Sequence, residues 1–185
     1  LGVPLQAAVQ ACSSLHPVPG RMECLGRAGE PLVAVDYAHT PDALSHALAA
    51  LRPLAAQRGG RLWCVFGCGG DRDASKRPLM GAIACQKADQ VVVTSDNPRS
   101  EKAESIIAHI LLGLAHSKAV DVQSNRALAI ADTVARAAAN DVILVAGKGH
   151  EQTQEIAGVK HVFSDREHAR QALRSRRLQK TEVRT

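Results

Sequence analysis

The sequence predicts a layered α/β fold, in which a mainly parallel β-sheet is covered by helices on both faces. Short apolar runs alternate along the chain with segments whose apolar residues recur at helical spacing, the pattern of repeated β-α-β units. The apolar residues are mostly aliphatic, since 45% of the 185 residues are hydrophobic and only 2% are aromatic. We therefore expect a core built from aliphatic faces of strands and helices.

The first thirty residues read as the end of a helix followed by a connector. Residues 5–15 have helical character, and residues 16–20 contain the prolines and glycine of an irregular connection. A candidate boundary lies between Glu23 and Glu30. Because the chain begins with Leu1 and with part of a helix, we expect it to be a fragment of a larger protein.

Two strand–helix units follow this boundary. Residues 32–37 form a β-branched run, after which Thr40 provides an N-cap and Pro41 a first helical residue. Residues 62–66 form a second apolar strand, which leads through a glycine loop at residues 67–73 into another helix. The apolar residues of the two helices recur at helical spacing, at Leu44, Leu48 and Leu51 and at Leu79 and Ile83.

The rest of the chain repeats this pattern. Residues 91–94 form a third strand, Pro98 stops its ladder pairing, and Ser100 is expected to start the next helix. A final hairpin should turn near Gly158. The remaining predicted elements are strands at residues 120–122 and 141–146, a helix at 127–138 and a last helix from about Asp165.

The alternation predicts a Rossmann-like sheet, with the hairpin adding antiparallel strands at an edge. In open sheets of this kind, ligands bind outside the carboxyl ends of the strands. Four polar loops follow predicted strands and should share that rim, at residues 37–39, 67–73, 96–99 and 147–151.

Hydropathy and cysteine content narrow the class of protein. No apolar run reaches the roughly 20 residues that span a bilayer, and no signal peptide is recognisable, so we expect a cytoplasmic protein that does not bind a membrane. An odd number of cysteines without paired CxxC motifs predicts reduced thiols rather than disulfides or a zinc site. The cysteines are Cys12, Cys24, Cys64, Cys68 and Cys85.

The net charge of +5 could indicate a protein that binds nucleic acid. Much of the excess lies in a terminal basic run, which is expected to be a solvated tail, and no aromatic side chains interleave with it for stacking on bases. Anionic small molecules are therefore better candidates than nucleic acid for the ligands of this chain. The run contains Arg174, Arg176, Arg177, Lys180 and Arg184.

The glycine loop could bind an anion. Its glycines would let backbone N–H groups approach a ligand at a helix N-terminus, although a plain tight turn explains the same residues. It matches neither a dinucleotide-binding nor a Walker motif. The nearby Arg72, Asp73, Lys76 and Arg77 favour a carboxylate or phosphate, with a solvated helix start as the alternative.

Two further loops could recognise an amino acid. Arg99 could bind a carboxylate while Asp96 or Asn97 meets an ammonium group, although an Asx turn with Pro98 explains the motif equally well. In the loop at residues 147–151, Glu151 is a second possible acceptor for an ammonium group, and Lys148 indicates either a phosphate contact or a surface turn. His150 and His39 are possible acid–base groups, but neither has a nucleophile beside it. We therefore assign no catalytic residue.

Five ordered motifs, spread over about three quarters of the chain, resemble the C-terminal domain of the Mur ligases, and in particular of the members that add meso-diaminopimelate. The motifs are Pro-Val-Pro-Gly-Arg-Met-Glu (17–23), Asp-Tyr-Ala-His-Thr-Pro (36–41), Gly-Cys-Gly-Gly-Asp-Arg-Asp (67–73) with Lys-Arg-Pro (76–78), Asp-Asn-Pro-Arg (96–99) and Gly-Lys-Gly-His-Glu (147–151).

This resemblance implies a binding site for meso-diaminopimelate. The arginines would meet its distal carboxylate, and Glu151 with the Gly147 backbone would meet its distal amino-acid head group; lysine-adding relatives differ at residues 96–99. The implied contacts are Arg72, Asp96, Asn97, Pro98, Arg99, Gly147 and Glu151.

The resemblance also implies contacts to ATP, with Arg21 near phosphate, Asp36 near ribose and His39 on the adenine side. In the family, ATP phosphorylates the D-Glu carboxylate of UDP-MurNAc-L-Ala-D-Glu, and the incoming amine displaces phosphate while Mg²⁺ neutralises charge. The family's uridine-nucleotide domain, phosphate loop and magnesium carboxylates have no match here. We therefore expect other domains to hold Mg²⁺ and the UDP-linked substrate, and this chain alone to be inactive.

The expected organisation is the end of a central ATPase domain and hinge at residues 1–26, the C-terminal ligase domain at 27–175 and a basic tail at 176–185. A lysine-adding or polyglutamate-type ligase of the same superfamily is the nearest alternative. It is disfavoured because Arg99 would face a neutral or cationic end, and an unmatched buried charge costs several kcal/mol. A non-catalytic nucleotide-binding or nucleic-acid-binding module is the other alternative; DNA binding that weakens strongly with salt would support the latter.

Overall fold

The computed structural model describes residues 2–13, 18–114 and 120–182. Residues 14–17 of the predicted helix end and connector lie outside them, as do Leu1, Arg184 and the side chain of Lys180. Across the described residues the helices are α1 (Leu5–Ser13), α2 (Pro41–Gln57), α3 (Lys76–Lys87), α4 (Ala103–Leu111), α5 (Arg126–Arg136) and α6 (Asp165–Glu182), with a 3-10 turn at Leu112–Leu114. The strands are β1 (Glu23–Leu25), β2 (Leu32–Asp36), β3 (Leu62–Phe66), β4 (Gln90–Val93), β5 (Val120–Val122), β6 (Val142–Ala146), β7 (Thr153–Ile156) and β8 (Val159–Val162).

Six of these strands form one sheet, in the order β1-β2-β6-β3-β4-β5. Neighbouring strands run parallel except β1 and β2, which are antiparallel. The register places Ala34 of β2 and Cys64 of β3 on either side of Leu144, so β6 lies in the middle of the sheet. The predicted α/β class with a mainly parallel sheet is confirmed.

Two apolar cores cover the two faces of this sheet. Alternate residues of a strand point to opposite faces, so Leu144 of β6 belongs to one core and Ile143 to the other. Leu48 of α2 lies in the first core, while Ile130 of α5 and Leu173 of α6 lie in the second. Each fully buried aliphatic side chain of this size contributes roughly 1.5–3 kcal/mol. Helices therefore cover both faces, as expected.

The predicted hairpin forms, but away from the edge of the large sheet. Strands β7 and β8 pair antiparallel as a separate two-stranded sheet, with the turn at Ala157 and Gly158. The antiparallel edge of the large sheet is instead supplied by β1, whose residue Cys24 faces Ala34. The sequence analysis placed these residues in the candidate boundary between Glu23 and Glu30, because a three-residue strand has too few residues to show an alternating pattern.

Two local expectations were wrong. Helix α4 begins at Ala103 rather than at Ser100, because the Ser100 amide and hydroxyl both donate to the Asp71 carboxylate, at 3.2 and 2.5 Å. The basic run is not a solvated tail within the described residues, since α6 continues to Glu182. Arg176 donates to backbone carbonyls of α5, and Arg177 donates to Glu30 at 2.9 Å. No helix in the described ranges is long and apolar enough to cross a membrane.

Candidate functional site

The four polar loops identified in the sequence meet at the carboxyl ends of β2, β6, β3 and β4. These strands are parallel neighbours, so their last residues lie side by side. Backbone hydrogen bonds join the loops in turn: the Gly147 amide donates to the Asp36 carbonyl at 3.1 Å, and the Gly70 amide donates to the Asn97 carbonyl at 2.9 Å. The predicted common rim therefore exists.

The glycine loop packs against the loop at residues 96–99. A Cβ at Gly67 would collide with the Thr94 carbonyl, and one at Gly70 with the Pro98 carbonyl. The run ends before α3 begins at Lys76, so it does not lie at a helix N-terminus. These glycines allow close approach of two protein loops, which replaces the anion-binding explanation.

Arg77 connects the glycine loop to Glu101, which lies just after the loop at residues 96–99. Its guanidinium is almost fully buried, donates to both oxygens of Glu101 at 2.9 and 2.7 Å, and reaches the Gly69 carbonyl at 3.3 Å. Glu101 in turn accepts from the Asp71 amide at 2.7 Å. Hydrogen bonds from Arg77 and that amide lower the pKa of Glu101. Arg77 is therefore a structural cation, and neither a ligand contact nor a solvated helix start.

Arg99 lies where the rim meets the separate hairpin. Its backbone has a positive φ of 54°, donates to the Glu155 carbonyl at 3.0 Å and accepts from the Ala157 amide at 2.7 Å. One guanidinium nitrogen donates to the Gly70 carbonyl at 2.7 Å, and the side chain remains 23% exposed. A Cβ at Gly69 would lie 2.8 Å from that nitrogen and 3.8 Å from Cγ of Arg72. Both arginine side chains thus lie beside Gly69.

Asn97, Lys148 and Glu151 form a hydrogen-bonded cluster beside Arg99. Lys148 Nζ donates to Asn97 Oδ1 and to Glu151 Oε2, both at 2.9 Å, and Asn97 Nδ2 donates to the same Glu151 oxygen at 2.8 Å. Asn97 Oδ1 also accepts from the Glu155 amide at 3.0 Å. Its carbonyl oxygen already accepts two N–H groups, which leaves Glu151 as the better placed acceptor for an ammonium group.

Lys148 was misjudged from the sequence, because its side chain is 0% exposed and lies within the cluster. It is therefore neither a surface turn nor available to a phosphate. Burial raises the pKa of Glu151, but hydrogen bonds from Lys148 and Asn97 outweigh that effect, and the pKa lies below its usual value. Glu151 is consequently a carboxylate at neutral pH.

Asp96 lies beneath this cluster and is only 7% exposed. Burial raises its pKa, although the positive charges of Arg126 and Lys148 oppose the shift. Gly147, with a φ of 121°, passes directly over the carboxylate, and a Cβ there would collide with Oδ2. Because Gly147 covers its carboxylate, Asp96 is not placed to be the first contact of an ammonium group. Arg126, which the sequence did not single out, supports this floor of the site.

A second cluster lies on the other side of residues 147–151. The Arg21 guanidinium stacks 5.3 Å from the Tyr37 ring centroid, and the His39 and His150 rings lie 4.6 and 5.5 Å from it. Asp36 ends β2 beneath them, and its Oδ2 accepts from the Met22 amide at 2.8 Å. The structure thus brings the three residues expected to meet ATP to one end of the sheet, with the exposed Arg21 and His39 on its surface.

Glycines place these two clusters on opposite sides of one loop. A Cβ at Gly149 would lie 2.7 Å from Tyr37 Cβ and 2.8 Å from the Gly20 carbonyl, so this loop is packed against the second cluster. Lys148 points from the same loop into the first cluster. A cleft of about 550 Å³ opens beside the loop, lined in part by Gly20, Gly149 and His150.

Within the described ranges, no three His, Cys, Asp or Glu side chains converge as a metal site would need. From the sequence we expect Mg²⁺ to be held by other domains, and we derive no step through it. The five cysteines are free thiols, as predicted.

Comparison with known proteins identifies relatives of the chain. A family model described as "Mur ligase, glutamate ligase domain" matches residues 20–149. The chain is 66% identical over 176 residues to the UDP-N-acetylmuramoyl-L-alanyl-D-glutamate–2,6-diaminopimelate ligase of Acidovorax sp. (strain JS42), covering 95% of this chain and 35% of that protein. It is 54% identical, with the same coverage, to the ligase of that name from Neisseria meningitidis serogroup A.

Solved structures agree with these sequence relationships. A structure of a ligase of the same name matches with a TM-score of 0.80 and 43% identity, over 95% of this chain and 36% of that one. A bifunctional folylpolyglutamate synthase/dihydrofolate synthase from Yersinia pestis CO92 shares the fold, with a TM-score of 0.58 and 21% identity over 81% of this chain and 33% of that one. The chain spans about a third of the length of the curated relatives it matches.

Proposed function

The chain belongs to the Mur ligase family, and from that premise we propose that it forms the amino-acid-accepting domain of a ligase that joins meso-diaminopimelate to UDP-MurNAc-L-Ala-D-Glu. Such a ligase acts in peptidoglycan synthesis. Its domain organisation would be the one expected from the sequence, with the end of a central ATPase domain before residue 27. The structure suggests extending the C-terminal domain through α6, because that helix continues to Glu182.

The observation that carries this proposal is the pairing of opposite charges at one rim. The distal end of meso-diaminopimelate bears a carboxylate and an ammonium group on the same carbon. The side chains of Arg99 and Arg72 both lie beside Gly69, and Glu151 offers an ionised carboxylate nearby. Guanidinium groups suit carboxylates, and a carboxylate suits an ammonium group. L-Lysine has only the ammonium group at its distal end and would bring no carboxylate to Arg99, which would keep only Glu155 Oε2 at 3.9 Å and the Gly70 carbonyl at 2.7 Å.

We propose that the second cluster receives ATP, with Arg21 towards phosphate, Asp36 towards ribose and His39 towards adenine. Its support is the exposed cation and aromatic surface around Tyr37. In the proposed reaction, ATP is consumed to activate the D-Glu carboxylate as an acyl phosphate. The incoming amine forms the new amide bond, and ADP and phosphate are released. This chain would contribute binding and orientation of the amine, which can account for a large part of a barrier.

Other parts of the proposed ligase would hold Mg²⁺ and UDP-MurNAc-L-Ala-D-Glu. We further propose a cytoplasmic location, since the reaction consumes ATP and all five thiols are free. No membrane or nucleic-acid partner is needed for this reaction.

Calorimetric titration with meso-diaminopimelate and with L-lysine tests the proposal. We expect meso-diaminopimelate to bind more tightly, and Arg99→Ala to weaken its binding by at least about tenfold, because a charge-assisted hydrogen bond to a carboxylate is worth about 1.5–3 kcal/mol. Arg136→Ala is the matched control, since Arg136 pairs with Asp121 on the surface, away from the rim. A preference for L-lysine, or equal losses in both variants, would contradict the assignment.

A further inference from the structure

Lys148 is a buried ammonium group whose position is decided by two side chains of the proposed amino-acid site. Its side chain is 0% exposed, and its described hydrogen bonds go to Asn97 Oδ1 and Glu151 Oε2. An unpaired buried ammonium would cost several kcal/mol, so the cation must stay where these two acceptors are. Conversely, both acceptors are drawn towards it.

Lys148 also decides which way the Asn97 amide faces. Oδ1 accepts from Lys148 at 2.9 Å and from the Glu155 amide at 3.0 Å, while Nδ2 donates to Glu151 at 2.8 Å. Turning the amide over would place Nδ2 against two donors and Oδ1 against a carboxylate oxygen. Neither the Lys148 ammonium group nor the Glu155 backbone N–H offers an acceptor that such a flipped amide could use. Asn97 can therefore offer a ligand only N–H groups.

Lys148 also makes the two oxygens of the Glu151 carboxylate differ in their hydrogen bonding. Lys148 and Asn97 both donate to Oε2, and among the residues the structure describes none donates to Oε1. The Glu151 side chain is 31% exposed, in contrast to Lys148. One oxygen is thus held by the protein, and the other is left to accept from an ammonium group of a ligand.

We infer that Lys148 is a positioning residue for specificity: it holds Asn97 as a donor for the ligand carboxylate and Glu151 as the acceptor for the ligand ammonium. This inference rests on the proposed function and adds a residue that does not touch the ligand. In this arrangement Asn97 and Arg99 are the hydrogen-bond donors of the site, and Glu151 is its acceptor. A site with this polarity selects an amino acid whose distal carbon carries both groups.

Steady-state kinetics of the complete ligase that carries this domain test the inference. Lys148→Met keeps an unbranched side chain only one atom shorter than lysine and removes its charge and donors. We expect the KM for meso-diaminopimelate to rise about tenfold or more, the KM values for ATP and the UDP-linked substrate to stay within about twofold, and the preference for meso-diaminopimelate over L-lysine to fall. Lys87→Met is the matched control. Lys87 Nζ likewise donates to a side chain, the Ser45 hydroxyl, but it lies away from the rim.

A purely structural role for Lys148 predicts a different result. All three KM values would then change together, in step with a lower unfolding midpoint, and this outcome would overturn the inference, as would an unchanged KM for meso-diaminopimelate. If the unmodified ligase does not use meso-diaminopimelate, the proposed function fails.

A second measurement decides the role of Lys148 independently of any ligand. In the ligand-free ligase, the side-chain amide resonances of ¹⁵N-labelled Asn97 can be assigned by their loss in Asn97→Asp. We expect slow hydrogen exchange of this amide in the unmodified protein and exchange at least tenfold faster in Lys148→Met. Identical exchange in the two proteins would show that Lys148 does not hold Asn97.

Discussion

Arg126 and Asp165 form a two-pronged ion pair in which neither side chain is exposed to solvent. Arg126 Nε and Nη2 donate to the two carboxylate oxygens at 2.7 and 2.8 Å. Two further N–H groups donate to the Ser95 carbonyl at 3.1 Å and to the Ala146 carbonyl at 2.9 Å. One guanidinium therefore ties the carboxyl ends of β4 and β6 to the start of α6, directly beneath the proposed amino-acid site.

Removing one member of this pair should strongly destabilise the fold. Asp165→Ala leaves a buried guanidinium without its counter-charge, and we expect a loss of about 3–5 kcal/mol in the free energy of unfolding. Urea unfolding followed by fluorescence of Trp63, the single tryptophan of the chain, measures it. Asp121→Ala, which breaks an exposed pair with Arg136, should lose no more than about 1 kcal/mol. Equal losses would show that the buried pair has no special role.

Gly147 should tolerate no side chain. Gly147→Ala combines a φ of 121° with a collision between its Cβ and Asp96 Oδ2, whereas Gly29→Ala has a φ of 80° and open space around the added carbon. We expect Gly29→Ala to lose roughly 1–2 kcal/mol from backbone strain alone, and Gly147→Ala to lose more and to bind meso-diaminopimelate less tightly. Unfolding and calorimetric titration of the two variants test this order. Similar behaviour of both would mean that the loop can move away from Asp96.

Asp96 should lower stability at neutral pH, because burial raises its pKa in the folded protein. Its ionised form is disfavoured by folding, so stability falls as pH rises from the unfolded pKa, near 3.9, through the higher folded pKa. We expect Asp96→Asn to be more stable than the unmodified protein at pH 7. The gain should vanish below about pH 4, where the carboxyl is protonated in both states. Urea unfolding midpoints across this range measure the effect.

Asp71 provides a control of opposite sign. Hydrogen bonds from Ser100 lower the pKa of Asp71, so its ionised form contributes stability above the unfolded pKa, and that contribution is lost as pH falls through the folded pKa. Asp71→Asn should therefore be less stable at pH 7, with a deficit that shrinks in acid. The same pH trend in both variants would contradict this explanation.

The five free thiols should differ in reactivity. Cys64 and Cys68 are buried, and burial raises the pKa of Cys64 and raises that of Cys68 to about 12. Cys12 and Cys24 are exposed, although partial burial also raises the pKa of Cys24. Since the thiolate is the reactive form, we expect a disulfide reagent to modify the exposed pair in the native protein and to reach Cys64 and Cys68 only after denaturation. Mass spectrometry of modified peptides identifies the sites. Native labelling of Cys64 would mean that the core opens readily.

Most of the fold was predictable because its signals are local. Thr40 was expected to cap α2 from its residue type and the following proline, and its hydroxyl indeed accepts from the Ala43 amide at 3.3 Å. The common rim was predictable for the same reason, because parallel strands bring their carboxyl ends together. The start of α4 was not, since it depends on a hydrogen bond between Ser100 and Asp71, which lie far apart in the chain.

The burial of the cations beneath the site could not be predicted from the sequence. Lys148 lies between two glycines, a setting that usually indicates an exposed turn, and its burial depends on Asn97 in another loop. Arg77 and Arg126 lie in the first turns of helices, where charged residues are usually solvated, and each is buried by a carboxylate from a distant segment. Local sequence shows which residues carry charge, but the pairing of charges arises only from the packed structure.

The central place of β6 constrains the order in which this domain can fold. Its neighbours β2 and β3 precede it by about 110 and 80 residues, as the pairs Ala34–Leu144 and Cys64–Leu144 show. During synthesis from the N-terminus, β2 and β3 cannot pair with β6 until Val142–Ala146 has left the ribosome. Pairing over such long separations slows folding. We therefore expect nascent chains that end before Val142 to leave aliphatic strand edges open, and so to depend on chaperones until β6 completes the sheet.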